Sequence, residues 1–259
     1  YNTLLAYGKK TKKYDLSFVH LLADKQELEQ EVLKINLPDN FKIILTGNGR
    51  VSSGAIEILD LIGVKKISSS DFLEKTFNYP TYVQLHSLDY HERIDGSVSS
   101  KSDFYQFPEL YCSSLLKYTY CADMLITGHY YAPKNPIILS RNDMKSKLCN
   151  LKVVGDISCD IDGPIGCTLR PSTIQDPIYG YNPNTELEDD YQQEDVIAVM
   201  AVDNLPCSLP RDASIDFGQV FIDSVLPDLI QNGPIVSRGA ITFNGGLTKR
   251  FEYLLDYIS

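Results

Sequence analysis

The sequence predicts an α/β protein built on a mostly parallel sheet. Three observations predict this class: short apolar runs typical of buried strands recur along the chain, helical stretches separate them, and a glycine-rich turn follows the first strand. With 259 residues, of which 43% are hydrophobic, the chain is long enough to bury a core without metals or disulfides. Collagen, coiled coils and bulk disorder are excluded.

The first predicted elements are a helix and a strand. Residues 24–35 (DKQELEQEVLKI) place apolar side chains on one helical face, and Asp24 stands before them as an N-cap. Residues 41–46 (FKIILT) are continuously apolar apart from Lys42 and Thr46, which is typical of a strand covered on both faces. A glycine turn follows this strand at once.

The next elements continue the alternation of helix and strand. Residues 51–62 show helical spacing of apolar side chains, and Gly63 ends that helix. Further buried strands are predicted at residues 64–67, 82–86, 123–127, 151–158 and 196–202, with helical stretches at residues 72–77 and 109–117. The resulting order predicts a Rossmann-type, doubly wound sheet.

Two polar stretches interrupt this alternation. Residues 86–101 carry Gly and Ser, and residues 179–194 carry an acidic run; both are interpreted as excursions outside the sheet. The acidic run is interpreted as solvated surface.

The end of the chain has a different pattern. A long helix is predicted over residues 211–230, a turn at residues 244–246 and a last helix over residues 249–258. We therefore predict a Rossmann-type domain with its entry helices over residues 1–203. The C-terminal helical segment, residues 204–259, is predicted to pack on this domain and to return to a substrate domain largely absent from the chain. The chain also opens without Met in a helix-like stretch, so we expect residues upstream of Tyr1.

Charge and cysteine usage restrict the partners. The formal net charge of −10 repels phosphate backbones, so we expect no nucleic acid partner. The sequence contains no run of 18 apolar residues, so we expect no membrane-spanning helix. The 6 cysteines form no CxxC pair or Cys/His cluster, which indicates reduced thiols, a cytoplasmic location and no metal site. The sequence contains no GxSxG elbow, so we do not expect a serine hydrolase.

The glycine turn predicts a dinucleotide site. In ILTGNGRVSSGAIEIL, Gly47 would make the tight turn, and Gly49 would let the backbone approach a pyrophosphate at the start of a helix. Ser52 occupies the third glycine position of this motif, and its hydroxyl could donate to a phosphate oxygen. The cofactor-binding residues predicted around this turn are Gly47, Gly49, Arg50, Val51, Ser52 and Ser53, with a plain turn as the alternative.

The identity of the dinucleotide is left open between NAD and NADP. Asp71 lies 22 residues after Gly49, near where an acidic residue binds the ribose hydroxyls in this kind of site. Asp71 would equally cap the helix at residues 72–77. Arg50 could reach a 2′-phosphate if the cofactor is NADP.

Several polar residues close predicted strands, where open α/β sheets bind ligands. Asp160, after the strand at residues 151–158, could orient a substrate amine or exchange protons with it. Its neighbours Asp156 and Asp162 fit a capping and turning role equally well. Asp203 follows the last strand. His129 closes the strand at residues 123–127 and could shuttle protons beside a nicotinamide, although a lone histidine also suits packing.

Two long runs resemble a known enzyme family. VVGDISCDIDGPIGCTLRPSTIQDPIYGYNP (residues 153–183) and MAVDNLPCSLPRDASIDFG (residues 200–218) resemble the family that joins alanine dehydrogenase, the transhydrogenase alpha subunit and saccharopine dehydrogenase. They look most like the lysine-forming saccharopine dehydrogenase (lysine-oxoglutarate reductase) branch. GRVSSGAIEIL and MLITGHYY are similar to its glycine turn and nicotinamide-bordering strand end.

The resemblance implies an NAD(P)-dependent oxidoreductase acting on the CH–NH bond of an amino acid. The expected reaction joins lysine and 2-oxoglutarate to saccharopine, with an alanine dehydrogenase-type deaminase or a non-catalytic dinucleotide-binding module as alternatives. Asp160 matches an acidic position beside nicotinamide and substrate, and Asn204 and Leu205 match the loop that contacts the nicotinamide. Family members carry their proton-transferring Lys and His in an N-terminal domain not visible here. Whether copies of the chain associate is left open.

Overall fold

An eight-stranded sheet forms the centre of the fold, and the computed structural model describes residues 1–257. The strands are β1 (Lys42–Thr46), β2 (Lys65–Ile67), β3 (Thr81–Leu85), β4 (His91–Arg93), β5 (Tyr111–Ser113), β6 (Met124–Thr127), β7 (Val153–Asp156), β8 (Ile178–Asn182), β9 (Leu187–Asp189), β10 (Ile197–Met200), β11 (Thr242–Phe243) and β12 (Gly246–Leu247). In space the order is β2-β3-β1-β6-β7-β10-β8-β9. Neighbours from β2 to β10 are parallel, which confirms the predicted mostly parallel sheet.

Helices connect these strands. The α-helices are α1 (Asn2–Thr11), α2 (Lys25–Val32), α3 (Arg50–Leu61), α4 (Ser69–Glu74), α5 (Lys101–Gln106), α6 (Leu116–Thr119), α7 (Arg141–Lys145), α8 (Pro210–Val220), α9 (Leu226–Gln231) and α10 (Pro234–Gly239). The predicted cap of α2 is confirmed, because the Asp24 side chain accepts a hydrogen bond from the Glu27 N–H. Gly63, at φ +75°, follows α3 as predicted.

Apolar side chains cover both faces of the sheet. Successive strand residues point to opposite faces, so Ile44 joins a cluster with Phe72 and Tyr118, whereas Ile43 joins a cluster with the α1 residue Leu5. All five residues of β1 are buried. Removing each such aliphatic side chain from water contributes about 1.5–3 kcal/mol to stability, and this double covering is what a parallel sheet requires.

β3, rather than β2, lies next to β1 in the sheet. β3 pairs with β1, and β2 pairs only with the far side of β3. The strand that follows α3 in the sequence is therefore one position removed from β1. Residues at the carboxyl end of β3, rather than those at the end of β2, lie next to the glycine turn.

Two local predictions are wrong. The stretch at residues 179–194, interpreted as an excursion, contributes β8 and β9 to the main sheet, with β8 antiparallel to β10. The helix predicted over residues 109–117 is instead a 3₁₀ turn, the strand β5 and the short helix α6. β5 pairs with β4 in a separate two-stranded ribbon, and this pairing with a distant segment overrides the helical spacing.

A second unit begins at Pro210. The predicted long helix is present as α8 and α9, joined by a π-helical turn at Phe221–Val225. The predicted turn lies between β11 and β12, where Asn244 and Gly245 both adopt positive φ. The last predicted helix is a 3₁₀ helix over Lys249–Tyr257, and Ile258 lies outside the described residues. Among residues 1–257, no helix combines the length and apolar character needed to cross a membrane.

Candidate functional site

A cavity of about 360 Å³ opens at the carboxyl ends of β1, β3 and β6. Three segments line it: the glycine turn with the start of α3, the stretch from the end of β3 through α5, and the segment after β6. The lining residues are Gly47, Asn48, Gly49, Arg50, Val51, Ser87, Tyr90, His91, Phe104, Tyr105, Gly128, His129, Tyr130, Tyr131, Asn135 and Ile138. Its position is the one where open α/β sheets bind ligands.

The glycine turn is shaped by two different requirements. Gly47 has φ +88°, and a Cβ there would lie 2.3 Å from the Gly128 carbonyl oxygen, so only glycine fits between β1 and β6. Gly49 is the N-cap of α3 and would place a Cβ in open space. Gly49 thus leaves room beside the backbone for a bound group rather than making room for another part of the chain.

The start of α3 fits an anionic group. Gly49 provides no side chain to cap the helix, and Arg50 and Val51 line the cavity directly after it. Uncapped N–H groups and the positive end of the helix dipole favour negative charge at this point. The residues present therefore fit a pyrophosphate, with the exposed Arg50 side chain beside it.

The two serines of the turn have other partners. Ser52 is fully buried, and its hydroxyl lies 3.1 Å from the Thr46 carbonyl oxygen and 3.2 Å from that of Gly128. Its single proton is thus engaged inside the fold, which contradicts the expected donation from its hydroxyl to a phosphate. The exposed Ser53 hydroxyl donates to the Gly49 carbonyl oxygen at 3.2 Å.

His129 closes the cavity at the end of β6. Its Nδ1 lies 2.7 Å from the Thr46 hydroxyl, while its Nε2 is buried and has no hydrogen-bond partner among the described residues. Burial lowers the pKa of His129 to about 4, although the nearby Asp156 charge opposes this. The ring is therefore neutral near pH 7. A role for His129 in carrying protons beside a nicotinamide stays a prediction.

Ring side chains that follow β3 form another part of the lining, here called the ring wall: Tyr90, His91, Phe104 and Tyr105. The His91 ring stacks on Phe104 with centroids 4.7 Å apart, and Tyr90 lies 4.6 Å from His91. The guanidinium of Arg93 holds the wall together by pairing with Asp95 and Asp103. These contacts fix the rings before any ligand binds.

Asp156, at the end of β7, is a buried carboxylate held by hydroxyl donors. It accepts hydrogen bonds from Thr127 at 2.7 Å, Ser158 at 2.6 Å and Thr168 at 2.5 Å. These contacts agree with the capping and turning alternative for Asp156. Two neighbouring groups have raised pKa values, mainly because they are partly buried and further because the Asp156 charge is near. The pKa of Asp160 is raised, and that of Cys159 is raised to about 11.

Asp160 lies close to the cavity without lining it. The side chain is exposed, and its charge raises the pKa of Tyr131, which does line the cavity, after the larger effect of burial. A carboxyl group with a raised pKa is suited to exchanging protons with a substrate amine. Asp162, by contrast, pairs with Arg141 at 2.8 Å.

Other predicted residues lie outside the cavity lining. Asp71 is not the cap of α4, because Ser68 accepts the capping hydrogen bond from the Asp71 N–H, and Asp71 pairs with Lys75 at 2.7 Å. Because β2 is separated from β1 by β3, Asp71 also lies one strand away from the glycine turn. Asp203, Asn204 and Leu205 follow β10 at the same carboxyl edge of the sheet.

Sequence reasoning missed the ring wall. Tyr90 and His91 lie in the stretch at residues 86–101 that was interpreted as a polar excursion, and Phe104 and Tyr105 follow shortly after it. The only signal was the density of rings in an otherwise polar segment, with Tyr90, His91, Phe104 and Tyr105 within 16 residues. Such density indicates packing against something, but the direction of packing depends on the β4–β5 ribbon.

The fold and the cavity define a Rossmann-type α/β protein with a glycine turn. Compared with curated proteins, the chain is 27% identical over 250 residues to alpha-aminoadipic semialdehyde synthase, mitochondrial, of Rattus norvegicus, covering 82% of this chain and 26% of that protein. It is 29% identical over 239 residues to alpha-aminoadipic semialdehyde synthase of Arabidopsis thaliana, covering 82% of this chain and 22% of that protein. No family model matches.

Among solved structures, L-alanine dehydrogenase matches with a TM-score of 0.46 and 12% identity, covering 93% of this chain and 64% of that one. The relatives confirm the resemblance that the sequence motifs indicate, on the side of the saccharopine branch. The chain spans about a quarter of the length of the curated relatives it matches.

Proposed function

We propose that this protein is an NAD(P)-dependent oxidoreductase that acts on the CH–NH bond of an amino acid, joining lysine and 2-oxoglutarate reversibly to saccharopine. One observation carries the proposal: a single cavity joins the uncapped start of α3 to the neutral ring of His129. Similarity to proteins named alpha-aminoadipic semialdehyde synthase supports the lysine-related substrate.

Different residues along the cavity are proposed to bind different parts of the dinucleotide. The backbone at Gly49, Arg50 and Val51 binds the pyrophosphate, and the space beside Gly49 receives it. The nicotinamide, when bound, supplies or accepts the hydride. His129 hydrogen-bonds the nicotinamide half, since its Nε2 has no partner inside the fold. The choice between NAD and NADP is left to Arg50 and the carboxyl end of β3.

The substrate side is proposed to lie toward Asp160. Its carboxyl group orients the substrate amine and exchanges a proton with it, which the raised pKa of Asp160 supports. Asp203, Asn204 and Leu205, at the end of β10, are proposed to border the nicotinamide, as the resemblance implies. The ring wall limits access of water to the cavity.

The test is a two-stage assay of the protein as it occurs naturally. First, titration of NADH and NADPH, followed by nicotinamide fluorescence, measures binding. Second, absorbance follows oxidation of the reduced nicotinamide with lysine plus 2-oxoglutarate in one cell and pyruvate plus ammonia in another. We expect oxidation in the first cell only.

The other outcomes are equally informative. Oxidation only with pyruvate and ammonia would replace the saccharopine reaction with an alanine dehydrogenase-type one. Binding without oxidation in either cell would make the protein a non-catalytic dinucleotide-binding module or a dehydrogenase for a different amine. Absence of binding to both dinucleotides would overturn the proposal as a whole.

A further inference from the structure

His91 is a buried residue in the ring wall that the proposed reaction does not use. It is the first residue of β4, and only 4% of its surface is exposed. Its ring lines the cavity that also contains Gly49 and His129. Stacking on Phe104 and contact with Tyr90 hold the ring in place.

The hydrogen bonding of His91 fixes which ring nitrogen carries the proton. Nδ1 lies 2.9 Å from the carbonyl oxygen of Ser87, and a carbonyl oxygen can only accept. Nδ1 therefore carries hydrogen. Burial lowers the pKa of His91 to about 4, so the ring is neutral near pH 7. In this tautomer Nε2 is an acceptor without hydrogen.

This Nε2 acceptor has no partner among residues 1–257, although it is buried. Leaving a buried polar atom unpaired is unfavourable, and most such atoms in native proteins are paired. The Ser87 carbonyl oxygen holds the tautomer that keeps Nε2 free of hydrogen. A ligand group that donates a hydrogen bond from within the cavity could pair with Nε2 after a small shift of the lining side chains.

We propose that His91 is a cofactor-binding residue whose Nε2 accepts a hydrogen bond from the nicotinamide riboside half of the bound dinucleotide. This inference rests on the proposed function. A neighbouring cavity of about 280 Å³ is lined by residues that include Asn48, His86 and Leu88, but not by His91. His91 instead shares its cavity with His129. The riboside half offers two kinds of donor, the carboxamide N–H and the ribose hydroxyls.

The key variant is His91→Asn. The asparagine amide can still donate to the Ser87 carbonyl oxygen, as Nδ1 does, but nothing replaces Nε2. The matched control is Phe104→Leu, which removes the stacked ring and keeps both imidazole nitrogens. Circular dichroism and thermal melting first establish that both variants fold.

The measurement is the dissociation constant of the 259-residue chain for three probes: the reduced dinucleotide that the unmodified protein binds, ADP-ribose and ADP. If that dinucleotide is NADPH, the 2′-phosphorylated forms of the other two are used. For His91→Asn we expect binding of the dinucleotide to weaken about 5- to 10-fold, the loss of one hydrogen bond, with ADP unchanged. For Phe104→Leu we expect no such difference between probes.

The pattern across probes identifies the donor. Weakening for the dinucleotide alone assigns the carboxamide, and weakening for ADP-ribose as well assigns a ribose hydroxyl. Equal weakening for all three probes, or no weakening for a folded His91→Asn variant, would overturn the inference; the latter result would indicate that water pairs with Nε2. Failure of the unmodified protein to bind any dinucleotide would instead overturn the proposed function.

Discussion

At the scale of single residues, two glycines of the same helix region test the dinucleotide site. A Cβ added at Gly49 or Gly54 would meet nothing within 4 Å, but only Gly49 lines the cavity. We expect Gly49→Ala to weaken dinucleotide binding about tenfold or more, because the methyl group occupies space proposed for the pyrophosphate.

The matched control is Gly54→Ala, inside α3. This change should leave binding unaltered and stabilise the fold by about 0.5–1 kcal/mol, since alanine loses less backbone freedom in a helix. Equal affinity of the two variants, measured by fluorescence titration, would place the pyrophosphate elsewhere.

Asp160 provides a second residue-scale prediction, this time for turnover. If its carboxyl group exchanges a proton with the substrate amine, Asp160→Asn should lower kcat about 100-fold or more while changing dinucleotide binding little. The control is Asp162→Asn: its ion pair with Arg141 is exposed, and Asn tolerates its left-handed φ of +51°. Losses of similar size in turnover and binding for Asp160→Asn would count against a role in proton transfer.

How far single residues could be predicted depends on the range of the interaction. The positions of Gly47 and Gly49 follow from a local pattern of strand, turn and helix. The Ser52 hydroxyl could not be placed, because its acceptor on Gly128 is contributed by the segment after β6. The same holds for Asp71, whose distance from the turn depends on the spatial order of β2 and β3.

At the scale of elements, Arg93 ties the ring wall together. Its guanidinium joins Asp95, which follows β4, to Asp103 on α5, and the Tyr111 hydroxyl also donates to Asp103 at 2.8 Å. Lys cannot bridge both carboxylates with the same geometry. We expect Arg93→Lys to speed hydrogen exchange in α5 and to weaken dinucleotide binding, with the exchange of β1 unchanged.

The control for this prediction is Arg170→Lys. Arg170 forms a bidentate ion pair with Glu188, with nitrogen–oxygen distances of 2.9 and 2.7 Å. Neither residue lines the cavity. Hydrogen exchange followed by mass spectrometry reports both variants. Faster exchange of α5 in the Arg170 variant, or protection of α5 unchanged in the Arg93 variant, would contradict the assigned role.

The elements themselves were predictable where one period dominates. α2, α3 and the parallel strands β1, β6, β7 and β10 have either helical spacing or apolar runs, and all were found. β2 was also found, but as an edge strand with Lys65 and Lys66 exposed rather than as the predicted buried strand. β8 and β9 were missed because they lie at the sheet margin: one face of β9 is polar, and acidic residues conceal its alternation. The pairing of β4 with β5 joins segments about 20 residues apart, so no local pattern contains it.

At the scale of the whole molecule, the buried His91 and the half-buried His129 predict acid sensitivity. The folded pKa of His91 and of His129 is about 4, against 6.5 for the free side chain, because burial disfavours the charged ring. Between these values the unfolded chain binds more protons than the folded one. The free energy of unfolding should therefore fall as the pH drops through this window, by about 1.4 kcal/mol per pH unit for each histidine.

Urea unfolding across the window from about pH 6.5 to about pH 4 measures this slope. The carboxyl groups also titrate there, so the informative quantity is the difference between the unmodified protein and His91→Asn. In the His91→Asn variant, the free energy of unfolding should fall less steeply with decreasing pH, by about 1.4 kcal/mol per pH unit. Identical slopes would show that His91 is not held neutral by the fold.

The two free edges of the main sheet carry opposite charges. β2 exposes Lys65 and Lys66, whereas β9 carries Asp189 and Glu188, of which Glu188 already pairs with Arg170. Charged side chains on a short edge strand oppose pairing with the same edge of another copy, because like charges would meet. Pairing of β2 with β9 of a neighbour is the one combination that charge favours, and it would generate an open-ended chain of molecules. Salt screens that attraction, so association through the edges should be strongest in dilute buffer and weaken as ionic strength rises.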